Sequence, residues 1–377
     1  MEVFAGLWTY VLPFLIVLTV LVFVHELGHY WVARRNGVRI ETFSIGFGPE
    51  LFGWHDRAGT RWKLSAIPLG GYVKFFGDAD AMSTPGGDLP TLTPEEQKVS
   101  FHHKPLGQRA AIVAAGPIAN FLFAIVVSAA LFVLIGQPFT PPVVGGVMPG
   151  SAAEKAGFEA GDRIIRINGE QISRFEDIQR IVQLDLDQPL KIIVQRGGQE
   201  VGLTAVPSII EETDRLGNKV RMARLGIRGG GMEYIRRGPG QALWQAVAET
   251  YEQTTGTLKA LGQIVTGHRS SDELGGPLRI AQMSGEVAKG GVANLFAFMA
   301  FLSINLGLIN LFPVPVLDGG HLLFYAFEAV RGRPLGPRAQ EYGFRIGMVL
   351  VFSLMILATW NDLVHIGFVQ RLVGWVS

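Results

Sequence analysis

Four stretches of this chain are long and apolar enough to cross a hydrocarbon layer of about 30 Å, which takes about 20 helical residues. They run approximately from Leu7 to Ala33, Ala110 to Gly136, Ala293 to Phe312 and Ile346 to Trp360. With 48% hydrophobic residues among 377, the chain carries more apolar sequence than a single soluble core uses. The first stretch has no basic leader and runs into His25-Glu26-Leu27-Gly28-His29 instead of a small-residue cleavage site, so it reads as a retained span.

Lys and Arg near the span ends set the expected orientation. Arg34, Arg35, Arg39, Arg57, Arg61, Lys63, Lys74, Lys104 and Arg109 fall between spans one and two, and Arg331, Arg333, Arg338 and Arg345 between three and four. Both segments are therefore expected on the cytoplasmic side, with both termini and the long region from Gln137 to about Gly290 opposite. The net charge of +1 shows no basic excess of the kind nucleic acid requires. The chain has no cysteine, which excludes disulfides and thiolate chemistry and leaves His, Asp and Glu as metal ligands.

Outside the spans the patterning changes. Residues Val143 to Pro207 carry short alternating runs (Arg163 to Ile167, Lys191 to Val194) around a polar helical stretch from Phe175, as in a small soluble α+β domain. Gln241 to Gly267 shows a partial helical stripe interrupted by Thr254, Thr255 and Gly256, suited to lying on a membrane or on the rest of the protein. Glu41 to Gly77, with Gly46-Phe47-Gly48-Pro49 and a turn at Asp56 to Gly59, predicts a pair of β-hairpins beside the membrane, and Asp78 to Lys98 a loop. The expected divisions are a first span over 1–36, hairpins and loop over 37–104, a second span over 105–137, the soluble domain over 143–207, a loop and amphipathic helix over 208–290, a third spanning segment over 291–330, and the last span with its tail over 331–377.

His25-Glu26-Leu27-Gly28-His29 is HExxH, which on a helix places two imidazoles on one face, roughly 6 Å apart along the axis and about 40° apart around it. Two ring nitrogens can then share one tetrahedral zinc. Glu26, beside them, can take a proton from a water whose pKa the metal lowers to about 7. The motif directly follows the apolar run from Val11 to Val24. Ionisable groups at such depth cost about 2.5–3.5 kcal/mol each, which zinc binding, roughly 10–16 kcal/mol in peptides, can offset.

A hydrolytic zinc takes a third protein ligand and keeps a fourth position open. Asp318 is the best remote candidate. It follows Pro313 and Pro315 and precedes Gly319 and Gly320, a composition that breaks a helix at membrane depth, where broken backbone persists only when buried in protein or lining a cavity. His321 is its rival; His55, His102, His103, His268 and His365 read as solvated or interfacial.

HELGH in the first span, with Asn310-x-x-Pro313-x-Pro315-x-x-Asp318-Gly319 in a later one, resembles the site-2 protease family of intramembrane zinc proteases. Gly46-Phe47-Gly48-Pro49, together with Gly146 to Gly157 and Gly161 to Gly169, which resemble bacterial protease PDZ domains, is similar to the branch typified by RseP and MmpA. The likeness spans nearly the whole chain, with room for one PDZ domain where RseP-like members carry two. It implies a polytopic α-helical membrane protein of about four transmembrane helices, with a membrane-associated β-hairpin region and an inserted α+β PDZ domain. It further implies Zn2+ on His25, His29 and Asp318, Glu26 as catalytic base, an active-site role for Asn120 in Gly116-x-x-x-Asn120, and substrate contacts at Asn310, Pro313 and Pro315.

The expected partners are the lipid bilayer and single-span transmembrane substrates of the anti-sigma factor type. A peptide or an ectodomain is expected to meet the PDZ domain, which binds extended peptide or filters by size. The expected place is a bacterial inner membrane, multi-pass, with the PDZ domain periplasmic and the active site opening toward the cytoplasmic side. A zinc transporter or sensor is the first rival, and Glu26 argues against it, since a transporter needs no general base. A membrane-tethered PDZ adaptor, the second, leaves His25, His29 and Asp318 unexplained.

Overall fold

The computed structural model describes residues 2–77, 92–184, 188–213, 219–267 and 275–365. In chain order, α1 (Glu2–Arg35) leads to β1 (Ile40–His55) and β2 (Arg61–Phe75), then to a one-turn α2 (Pro94–Gln97) and α3 (Leu106–Leu134). Next come β3 (Gln137–Phe139), β4 (Val144–Val147), α4 (Ala152–Lys155), β5 (Arg163–Ile167), β6 (Glu170–Gln171), α5 (Phe175–Leu184), β7 (Leu190–Arg196) and β8 (Gln199–Ala205). The strands β9 (Ser208–Thr213), β10 (Lys219–Arg224), β11 (Ile227–Gly229) and β12 (Glu233–Ile235) follow. The chain then closes with α6 (Pro239–Val265), α7 (Pro277–Lys289), α8 (Val292–Asn310), α9 (Asp318–Arg331) and α10 (Pro337–His365). Two compact units result: Met1–Ala130 with Ala242–Ser377, and Leu131–Gln241.

In the first unit, four helices are long and apolar enough to span a membrane: Trp8–Arg35, Leu106–Leu134, Val292–Asn310 and Arg338–Val364. The third stops at Asn310, short of the expected Phe312, because the proline-rich link begins there. Small residues let these helices approach. A Cβ on Gly28 would lie 2.3 Å from the Ala115 carbonyl oxygen, and one on Gly307 would lie 3.0 Å from the Pro117 carbonyl oxygen, so α1 and α8 both press on α3 through glycines. Ser303 Oγ donates to the Asn120 carbonyl at 2.9 Å, fastening α8 to α3 away from water.

The expected pair of hairpins is a single long one that doubles back. Thr42 to Ile45 pair both with Gly71 to Lys74 and with Arg61 to Leu64, so the start of β1 lies between the two ends of β2. Glycines make the fold-over feasible: Gly46 has φ +87°, and a Cβ on Gly70 would meet the Phe47 ring at 2.5 Å. Asp56 at the turn ties the hairpin to α1. It accepts from Tyr30 Oη at 2.6 Å, from Trp62 Nε1 at 3.3 Å and from the Ala58 and Thr60 amides. Leu51, Phe52 and Trp54 are left exposed.

The later segments depart from the sequence expectation in two ways. Thr254, Thr255 and Gly256 do not interrupt α6, because Thr254 Oγ1 donates to the Thr250 carbonyl (2.7 Å) and Thr255 Oγ1 to the Tyr251 carbonyl (3.0 Å), satisfying the hydroxyls within the helix. The region expected as a loop before Gly290 contains α7. This helix packs on α1 where Gly285 admits Tyr10, whose hydroxyl donates to Glu286 at 2.8 Å. No side chain of its own caps α7. Asp362 of α10, 2% exposed, accepts from the Gly276 and Arg279 amides at 2.9 and 3.0 Å instead.

The second unit is α+β. Its sheet has the order β6-β5-β7-β8, all neighbours antiparallel, and α5 adds Ile178, Ile181 and Val182 to a core with Ile164, Ile167, Leu190, Ile192 and Val194. The expected limits of 143–207 are too narrow. Ala223 and Leu225 lie in the same core and β11 pairs with β4, so strands after Pro207 complete this unit. Asp162 is buried and takes Arg196 Nε and Nη2 at 2.7 Å each, plus the Glu159 amide at 2.9 Å.

Candidate metal centre

The HExxH sequence lies on an unbroken stretch of α1, so His25 and His29 share a face one turn apart. Both rings turn toward α3. His29 Nδ1 lies 2.9 Å from the Ile112 carbonyl oxygen, which can only accept, so the proton sits on Nδ1 and Nε2 keeps its lone pair. His25 Nδ1 lies 3.2 Å from Nδ2 of Asn120, a fully buried side chain. Gly116 of α3 provides the space for both rings. A Cβ there would sit 2.2 Å from His29 Nε2 and 2.9 Å from His25 Cε1.

The third member comes from α9. Residues 311–317 form a turn-rich link after α8, and its carbonyls press on the first turn of α9. A Cβ on Gly319 would lie 2.3 Å from the Leu311 and Phe312 oxygens, and one on Gly320 would lie 2.3 Å from that of Val314. The two glycines therefore allow the chain to fold back so that Asp318, the first residue of α9, faces α1. Asp318 Oδ2 is 3.1 Å from His25 Nε2 and 3.5 Å from His29 Nε2, and the two nitrogens are 3.2 Å apart.

These three edges are those of a metal site. A tetrahedral ion bound at about 2.0–2.1 Å needs ligand atoms about 3.3–3.4 Å apart. Asp318 Oδ2 is buried and has no hydrogen-bond partner among the described residues, so its lone pairs converge with those of two imidazoles on a point that a cation would satisfy. Two nitrogens and one carboxylate oxygen suit zinc. Among the described residues the cluster capable of holding a metal is His25, His29 and Asp318; His321, one turn along α9, is not in it.

Glu26 faces β2. Its Cγ would be 3.2 Å from a Cβ on Gly71, and the Val73 amide donates to its carboxylate. The structure thus gathers His25, Glu26, His29, Asp318 and Asn120. Asn310 ends α8, and Pro313 and Pro315 lie on the link, with Pro315 cradled by α10, where a Cβ on Gly347 would come within 3.1 Å of its Cδ. Ile112, which acts through its backbone, escaped the sequence reading because no side chain announces it; Gly116, quoted there only as part of the motif that ends at Asn120, acts by lacking a Cβ.

Fold and site define a membrane peptidase dependent on a metal. The chain belongs to peptidase family M50, whose description matches residues 13–354. It is 51% identical over 360 residues to a provisionally named zinc metalloprotease of Rhizobium meliloti, covering 94% of this chain and 96% of the relative. It is 50% identical over 359 residues to another so named from Agrobacterium fabrum (94% and 95%), and 40% identical over 373 residues to the metalloprotease MmpA of Caulobacter vibrioides (93% and 94%). Of solved structures, the PDZ domain of an SdrC-like protein from Listeria monocytogenes matches 24% of this chain and 88% of that chain, at 18% identity and a TM-score of 0.19, too low to bear on the fold.

Proposed function

We propose that this protein is a zinc endopeptidase that cuts the transmembrane segments of single-span membrane proteins, in regulated intramembrane proteolysis such as that of an anti-sigma factor after a first ectodomain cut. The observation that carries this reading is the His25, His29 and Asp318 cluster, formed by a membrane-length helix and the helix after the link from a second one. Zinc held there supplies Lewis acidity and lowers the pKa of a bound water to about 7. Glu26, beside the cluster and against β2, takes the proton of the attacking water.

A transmembrane helix shields its peptide groups with its own hydrogen bonds, so it must be unwound before it is cut. The Gly71 to Phe75 end of β2 has β1 on one side and passes Glu26, a position from which its edge can pair with an extended substrate backbone. Gly, Pro and small polar residues near the cut lower the unwinding cost and are favoured there. Asn310 and the Pro313 and Pro315 link engage the substrate beside Asp318. Exposed Leu51, Phe52 and Trp54 suit a hairpin lying against lipid.

We place the protein in a bacterial inner membrane, with the soluble unit and both termini periplasmic and the active site opening toward the cytoplasm. The soluble unit, PDZ-like in its sequence motifs, restrains folded ectodomains. Its groove, lined by Met148, Phe175, Ile178, Val182, Leu225 and Ile227, is of a kind that takes an extended peptide end. The test is Glu26→Gln with a tagged single-span substrate: the variant should keep its zinc and lose cleavage by about 10²–10⁴-fold. Wild-type cleavage in the zinc-loaded variant would remove Glu26 from the mechanism.

A further inference from the structure

We infer that Asn120 is a positioning residue of the metal site: its side-chain oxygen accepts the Nδ1 proton of His25, fixing that ring in the tautomer whose Nε2 can bind zinc. The inference rests on the reading of His25 as a zinc ligand and assigns Asn120 a role toward the protein instead of the substrate.

The argument starts from the asymmetry between the two rings. His29 points Nε2 at Asp318 and has Nδ1 against the Ile112 carbonyl, an obligate acceptor, so its tautomer is settled by the backbone of α3. His25 also points Nε2 at Asp318, yet its Nδ1 faces an amide, which can either donate or accept. With the amide nitrogen toward the ring, Nδ1 must be the acceptor and Nε2 must carry the proton, and a protonated Nε2 cannot be a ligand. Ligation at Nε2 therefore demands the opposite arrangement, with Oδ1 toward Nδ1–H. The nitrogen and oxygen of an amide occupy near-equivalent positions, so half a turn about the last side-chain bond achieves it with no other movement. Oδ1, buried without a partner in the present arrangement, then acquires one, and the amide nitrogen takes the place it leaves.

Burial makes the choice consequential. Asn120 is 0% exposed and His25 9%, so water does not compete for either group, and the amide on the Nδ1 side, set against Asp318 and His29 on the Nε2 side, decides which nitrogen of His25 carries the proton. The amide itself is held from below: Ser303 of α8 donates to the backbone carbonyl of Asn120, which stations the residue independently of its side chain. Removing the amide group thus leaves the contact between α3 and α8 in place while freeing His25 to rotate and to exchange tautomers. Outer partners of metal-binding histidines typically account for about 10–100-fold in metal affinity.

The experiment measures zinc affinity of the full-length protein in detergent by competition with a chromophoric chelator, for wild type, His25→Ala, Asn120→Ala and Asn120→Asp. Asn120→Ala should bind zinc about 10–100-fold more weakly than wild type. Asn120→Asp, which retains an oxygen for Nδ1–H and has no nitrogen, should recover most of that loss. Wild-type affinity in Asn120→Ala overturns the inference and returns Asn120 to substrate contact. So does a loss in Asn120→Asp equal to that in Asn120→Ala with unchanged melting, since the nitrogen would then be the working atom. If Asn120→Ala fails to fold, the Asp variant decides alone, retention supporting the inference and loss overturning it. Unchanged affinity in His25→Ala would instead break the metal-site reading, and the inference with it.

Discussion

Asp162 in the second unit and Asp318 in the first are both buried carboxylates facing basic side chains from other elements, yet they are finished differently. Every approach to Asp162 ends in a donor: two guanidinium nitrogens of Arg196 and the Glu159 amide. Burial pushes its carboxyl up, and these donors outweigh it, holding Asp162 below the usual carboxylate range. Asp318 instead meets two imidazole nitrogens, at 3.1 and 3.5 Å, and among the described residues its Oδ2 has no hydrogen-bond partner. A closed set of donors stabilises a fold, whereas side chains that converge without such a set leave a place for a cation.

Three measurements test that contrast. The largest effect is expected for Asp318→Ala, which should lose its zinc to a chelator that leaves the wild type loaded, because one of three converging ligand positions is gone. Zinc retention there would pass the third-ligand role to His321. Asp162→Ala should do the reverse, losing about 3–5 kcal/mol of stability in the second unit, toward the lower value because Arg196 is 29% exposed, with zinc affinity unchanged. Urea unfolding followed in parallel with zinc titration checks both halves; a loss of zinc affinity in Asp162→Ala comparable to that in Asp318→Ala would erase the distinction.

The smallest effect concerns Asp56, which asks whether location or completion matters. It belongs to the membrane unit but is closed by donors like Asp162. Burial pushes its carboxyl up, and Tyr30, the Thr60 amide, Trp62 and the Ala58 amide together hold it at about 2. Because the folded value is depressed, its contribution is complete above the unfolded value of about 3.9 and is lost as the pH falls through about 2. Acid titration followed by tryptophan fluorescence should show the hairpin loosening in that window, and Asp56→Asn should remove this step. A transition near pH 6 in its place would tie the hairpin to histidine and not to Asp56.

The cluster of His25, His29 and Asp318 was legible because HExxH is a local pattern with helical spacing, and because Pro313, Pro315, Gly319 and Gly320 mark a break that an apolar run would not otherwise contain. The spans were legible from length and hydropathy alone. What escaped depends on contacts between elements. Helix α7 has no apolar run, since it docks through Ser284 and Gly285, small residues that carry no periodic signal. Its cap stands on a different helix. The doubled hairpin needs a register that alternation does not specify, and the second unit extends past Pro207 because β11 pairs back to β4. The threonines of α6 suggested a break when judged by propensity, and the i−4 carbonyls absorb their hydroxyls.

The cap that Asp362 places on α7 also bears on how the molecule is made. The ribosome delivers α7 long before α10, so during synthesis the first-turn amides at Gly276 and Arg279 wait for a carboxylate that exists only once the final span has been produced. Gly276 keeps that seat free, because any Cβ there would crowd the Asp362 carboxylate and the Ala358 backbone. Capping of α7 is therefore a late event in assembly, and a chain cut short before residue 362 would carry His25, His29 and Asp318 and still leave this helix unfinished.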